Sequence, residues 1–175
     1  MGDPVLVVMG PAGSGKSTLG VALAAELDLP FLEGDALYSA ESVAKMRAGH
    51  PLDDADRAPW LARNRGWIDA RLEAGEGGVV ACSALRRAYR DVLVSGHPDR
   101  VRLVALEATP ALLAARVAAR TGHFLPASLL DSQVATFEPP GDEERPIRIS
   151  AEWPVGRAVS EVLRGLGLER PAASG

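Results

Sequence analysis

The chain has 175 residues, of which 47% are hydrophobic and 24% charged, with a formal net charge of −4. That length fits one domain, or one with a small insert, and the composition is that of a globular protein rather than a disordered one. The acidic balance weighs against a nucleic-acid binder, no apolar run approaches the roughly 20 residues of a membrane span, and the single cysteine, Cys82, excludes an internal disulfide.

The N-terminal Met1-Gly2-Asp3-Pro4 has no basic flank, so no signal peptide is expected and the protein is expected to be cytoplasmic. Val5 to Met9 is an uninterrupted apolar run, the mark of a strand buried on both faces. Gly10 to Gly15 breaks the run, and Ser17 to Leu27 reads as a helix with Leu19, Leu23 and Leu27 four apart. Pro30 to Leu32 is a short second strand ending at Glu33-Gly34-Asp35. Helices are predicted over about 39–48 and about 59–74, with Pro59 suited to the first turn of the second. Trp60, Trp67, Ile68 and Leu72 share one face of it. Gly77 to Ala81 is a third strand, Arg86 to Val94 a helix and Val101 to Leu106 a fourth strand. A helix from Pro110 to Arg120 is interrupted by Gly122 to Pro126, and another follows over about 127–138. Ile147 to Ile149 is a fifth strand and Val155 to Leu166 the last helix; residues 169–175 are expected to fray, leaving one domain over 1–168.

Strands alternating with helices give an α/β class with a parallel sheet covered on both faces. Ligands of such sheets sit beyond the carboxyl ends of the strands. That rule selects Gly10–Thr18, Glu33–Asp35, Cys82–Arg87 and the segment after Leu106.

The first of these carries the strongest signal. Gly10-Pro11-Ala12-Gly13-Ser14-Gly15-Lys16-Ser17 fits G-x-x-x-x-G-K-[ST], followed by Thr18. Its glycines let several N–H groups converge on one concavity, and the helix that follows adds its positive end. Lys16 can reach the β- and γ-phosphates of ATP, and the Ser17 hydroxyl can ligate Mg²⁺. Lys16 and Lys45 are the only lysines among 19 basic residues, which fits a role for Lys16 as a compact point charge. No Asn-Lys-x-Asp tetrapeptide marks a guanine site. The third strand ends in Cys82-Ser83 rather than in an acid, and Glu107 at the end of the fourth, which could imitate that acid, reads as a strand-end charge in solvent, so a small-molecule kinase is favoured over a switch or motor.

Further segments carry a resemblance. Phe31 to Leu37, Lys45-Met46, Gly49, Pro51 to Asp54, Asp56-Arg57 and Pro59 to Leu61 resemble the substrate-side segment of bacterial-type gluconokinases. So do Cys82 to Arg87, Tyr89-Arg90-Asp91, Arg120 to Phe124, Leu129 to Gln133 and Glu138-Pro139, so that the resemblance runs in order over about 5–140. It implies the fold of shikimate and adenylate kinases: a P-loop kinase with a five-stranded parallel sheet, order 2-3-1-4-5, and a mobile lid at about 120–137. It implies transfer of the ATP γ-phosphate to the 6-hydroxyl of D-gluconate with Mg²⁺, no nucleic-acid or membrane partner, and a homodimer as one option. Another aldonate or shikimate as acceptor, or a nucleotide-binding module without turnover, are the alternatives.

On this reading Asp35 orients the attacking hydroxyl, although an Asp there also suits a helix N-cap. Glu33 is a candidate for holding Mg²⁺ through water, or else a solvated loop charge. Arg57 suits bidentate capture of the gluconate carboxylate. Ser83 is placed to hydrogen-bond the polyol. Arg86 and Arg87 open a helix, an unfavourable end for cations, which points to an anion nearby. Arg116 and Arg120, four apart on one helix face, are expected at the adenine and the transferred phosphate as the lid closes. His123 and Gln133 are lid-side candidates for the substrate. The acceptor side departs from the family pattern at Tyr38-Ser39, Ser42, Val134 and Phe137, whereas the ATP side does not.

Overall fold

The computed structural model describes residues 2–119 and 126–168. Its centre is β1 (Val5–Met9), apolar at every position because neither face meets solvent. Side chains of a strand alternate between faces. Val5, Val7 and Met9 enter one core with Trp60, Ile68 and Leu93, and Leu6 and Val8 enter the other with Leu19, Leu23 and Ile149. β1 is flanked by β3 (Gly78–Ala81) and β4 (Val101–Glu107), with Val7 opposite Val80 and Leu103. β2 (Phe31–Glu33) and β5 (Ile147–Ser150) are the edges of a parallel sheet of order β2-β3-β1-β4-β5, as the resemblance implies.

The helices are α1 (Lys16–Leu27), α2 (Ala40–Arg47), α3 (Asp54–Glu73), α4 (Arg87–Val94), α5 (Pro110–Ala119), α6 (Ala127–Thr136) and α7 (Val155–Gly165). α3 and α4 cover the first core, α1 and α7 the second. α1 lies close on β2: a Cβ at Gly20 would stand 2.6 Å from the Phe31 ring. A third, smaller cluster joins Met46 of α2, Leu113 and Val117 of α5, and Leu129 and Leu130 of α6 to Ala12. Among the described residues no helix is long and apolar enough to cross a membrane.

One predicted boundary is corrected. α3 begins at Asp54, not near Pro59, because Asp53 closes a capping box: its Oδ1 accepts from the Asp56 N–H at 2.8 Å, while its own N–H donates to Asp56 Oδ2 at 3.0 Å. Pro59 sits in the second turn on the exposed side, where its missing N–H leaves only the exposed Ala55 without an amide partner. Between β2 and α2 the chain makes a 3₁₀ turn, Gly34–Leu37. Arg120, Gly122 and His123 of the expected lid lie outside the described residues, as does the segment 169–175.

Candidate active site

β1 delivers its chain directly into the phosphate loop. Gly13 and Gly15 take φ of 85° and 97°, the left-handed region that glycine enters without a Cβ penalty, and Gly15 caps α1. Lys16, the first residue of the helix, is 7% exposed. Its Nζ donates to the Pro11 carbonyl at 3.1 Å and stands 3.9 Å from Asp35 Oδ2.

Asp35 comes from the 3₁₀ turn after β2, and it is held from β3. The Ser83 N–H donates to Oδ1 at 3.1 Å and the Ser83 hydroxyl to Oδ2 at 2.7 Å. Asp35 therefore caps no helix; Ser83, expected as a polyol contact, presents it to the site. Beside them the Ser17 hydroxyl donates to Glu33 Oε2. Burial, chiefly, pushes the Cys82 thiol well above its usual range, with Asp35 adding to the effect, so that Cys82 is a packed apolar group and not a nucleophile.

Two cavities of about 310 Å³ each open on either side of the loop and share Gly13 and Gly15. The first is lined by Lys16, Ser17, Glu33, Asp35, Arg57 and Ser83 on one side and by Met46, Leu52 and Leu129 on the other. Gln133 also lines it and reaches the loop, its Oε1 accepting from the Ala12 N–H at 2.8 Å. The second cavity is lined by Thr18, Arg116, Ala151 and Trp153. There the Arg116 guanidinium donates to the carbonyls of Gly13 and Ser14 at 3.3 and 3.2 Å and to that of Ala151 at 2.6 Å.

The remaining candidates divide. Arg57 lies in the first turns of α3 and its Nη1 donates to the Tyr89 phenol at 2.8 Å. Arg86 does not line either cavity; it stands 3.8 Å from Asp54 Oδ2. The anions facing Arg87 are carboxylates of the chain itself, Asp91 at 3.0 Å and Glu143 at 2.6 Å. Trp60 packs, with its indole N–H on the Gly34 carbonyl at 2.8 Å and its ring stacked on Tyr38 at 4.5 Å. Burial, then Asp35 and Cys82, raise the Tyr38 phenol well above its usual range, and Arg57 draws it partly back.

Sequence reasoning passed over Tyr89, Asp54 and Arg90. Arg90 is 1% exposed and grips Glu144 through Nε at 2.7 Å and Nη2 at 3.2 Å, with further bonds to the Ala84 and Leu85 carbonyls. The available signal was its place beside Tyr89 and three before Leu93, on the buried face of α4.

Comparisons with known proteins bear on the family and the fold. A family described as an AAA domain matches residues 5–140. A gluconokinase of Gluconobacter oxydans is 47% identical over 159 residues, 91% of this chain and 89% of its own. Among solved structures, a sugar kinase from Janibacter superposes with a TM-score of 0.88 at 42% identity, covering 95% of each chain. A gluconokinase from Sinorhizobium meliloti gives 0.81 at 45% identity, covering 94% of this chain and 91% of that one. A phosphate loop at the end of β1, an anchored carboxylate facing its lysine, and relatives of this similarity over nearly the full length establish that the chain belongs to the gluconokinase family of P-loop kinases.

Proposed function

We propose that the protein transfers the γ-phosphoryl group of ATP to the 6-hydroxyl of D-gluconate. The observation that carries this is Asp35, fixed by both donors of Ser83 and 3.9 Å from Lys16, in a cavity that shares the phosphate loop with a second one. The second cavity suits the nucleoside, with the Arg116 guanidinium plane in its wall. The first suits the acceptor.

Asp35 accepts the proton of the acceptor hydroxyl as that oxygen bonds to the γ-phosphorus. The bond to the β,γ-bridging oxygen breaks and its electron pair leaves with ADP. Lys16 and the loop N–H groups face the charge that develops on the transferred group, and positioning supplies most of the rest. Arg57 meets the carboxylate end of the acceptor.

The oxygen donors Ser17 and Glu33, hydrogen-bonded to one another at the phosphate loop, suit a hard cation such as Mg²⁺. Phosphate and water would complete the shell of such an ion. When bound, Mg²⁺ would neutralise phosphate charge.

The test is ADP release with Mg-ATP, alone and with D-gluconate, other aldonates, neutral sugars and shikimate. Strong stimulation by gluconate is expected, and Arg57→Ala should raise the gluconate KM about 100-fold while leaving that of ATP in place. Stimulation by a different acid alone would move the acceptor. An Arg57→Ala effect confined to ATP would overturn the carboxylate role.

A further inference from the structure

Arginine is a long side chain with many rotamers, and a guanidinium that must receive a planar carboxylate needs its plane fixed beforehand. Arg86, Arg87 and Arg90 all stand against carboxylates. Arg57, by contrast, donates to a neutral phenol, which leaves its full charge directed at the cavity it lines.

That phenol belongs to Tyr89, 4% exposed on α4. A phenol has one proton. The Tyr89 proton goes to Asp54 Oδ1 at 2.6 Å, so the oxygen lone pairs are left to accept from Arg57 Nη1 at 2.8 Å. Asp54 in turn stands 3.8 Å from Arg86. The Arg57 guanidinium carbon lies 5.4 Å from the centre of the Tyr89 ring, and the Tyr38 phenol, stacked on the buried Trp60, also interacts with the guanidinium. The hydrogen bonds thus run from Arg57 at the acceptor cavity through Tyr89 to Asp54 near the surface, with Arg86 beyond Asp54 at ion-pair distance only.

We propose that Tyr89 is a positioning residue for acceptor recognition, its hydroxyl locked by Asp54 so that Arg57 is held ready for the carboxylate of a sugar acid. This rests on the reading of Arg57 given above and extends it to two residues that do not line the cavity.

Four variants of the full chain test it: Tyr89→Phe, Arg57→Ala, their double variant, and Asp54→Ala. Tyr89→Phe should raise the D-gluconate KM about tenfold, with kcat and the ATP KM within about twofold. In the Arg57→Ala background Tyr89→Phe should add nothing, because there is no guanidinium left to orient. Asp54→Ala removes the acceptor of the Tyr89 proton on a side chain 71% exposed, and it should raise the gluconate KM in the same direction by a smaller factor. An unchanged KM in Tyr89→Phe overturns the proposal. So does an equal rise in the Arg57→Ala background, which would show a general distortion of α4. If Arg57→Ala itself leaves the gluconate KM alone, the underlying carboxylate reading falls. A rise in Arg57→Ala with a silent Tyr89→Phe removes only the positioning role. Should Tyr89→Phe not fold, Asp54→Ala decides in its place, an unchanged gluconate KM there overturning the proposal.

Discussion

Asp35 and Ser83 are 48 positions apart in sequence and share two hydrogen bonds, one to each carboxylate oxygen. A carboxylate gripped on both oxygens points its remaining lone pairs one way, which is what in-line attack requires. Ser83→Ala removes the stronger, charge-assisted bond and lets Asp35 turn. The expected result is a fall in kcat of about tenfold or more with the ATP KM unchanged. Steady-state kinetics checks this, and a change confined to the gluconate KM would return Ser83 to direct substrate contact. The contrast with the phosphate loop shows what a sequence discloses at this scale. Gly10 to Ser17 carry their chemistry within one contiguous stretch, so spacing alone exposed it. The Asp35–Ser83 pair exists only because β2 and β3 are neighbours, and nothing local to either residue records that adjacency.

The elements themselves were legible wherever apolar pattern decided them, as in the five strands. They were misjudged where a side-chain hydrogen bond decided instead: α3 starts at the Asp53–Asp56 box, and a rule about proline in the first turn pointed to the wrong residue. The tie between α4 and the 3₁₀ turn Asp142–Glu144 is of the same kind. Burial opposes the charge of Glu144, yet the Arg90 guanidinium and the Gly141 N–H outweigh it and hold the carboxyl below its usual range. A carboxyl with a lowered folded-state pKa adds stability that is complete above its unfolded value and is lost as pH falls through the folded one. Glu144→Gln leaves the Arg90 charge buried and unpaired, a loss of about 3–5 kcal/mol, or a melting temperature lower by about 10 °C near neutrality. Thermal melts between pH 3 and 7 should show the gap between variant and parent narrowing below about pH 4.5. A gap independent of pH would mean that packing, and not charge, holds the turn.

At the scale of the molecule, the parallel sheet places every site segment at one end: the loop after β1, the turn after β2, Ser83 after β3 and Ala151 after β5. The phosphate loop stands between two cavities and belongs to both. Nucleotide binding should therefore raise the melting temperature by mass action. At 100 times Kd the gain is about 2.7 kcal/mol, or roughly 5–10 °C for a chain of this size. Lys16→Ala should lose most of that shift with a non-hydrolysable ATP analogue, and turnover with it, while the fold persists. A full shift in the variant would displace Lys16 from the phosphates.

The burial of β1 has a further consequence, in how the molecule breathes. β1 is covered on both faces and paired on both edges, so its amides exchange with solvent only when the whole fold opens. The phosphate loop hangs from that strand. The cluster of α2, α5 and α6 is a separate small core that meets the loop at Ala12. Its amides should exchange with solvent before those of β1. The loop is thus anchored at its start in the last segment to exchange, while Arg116 of α5 and Gln133 of α6 tie it to the smaller core.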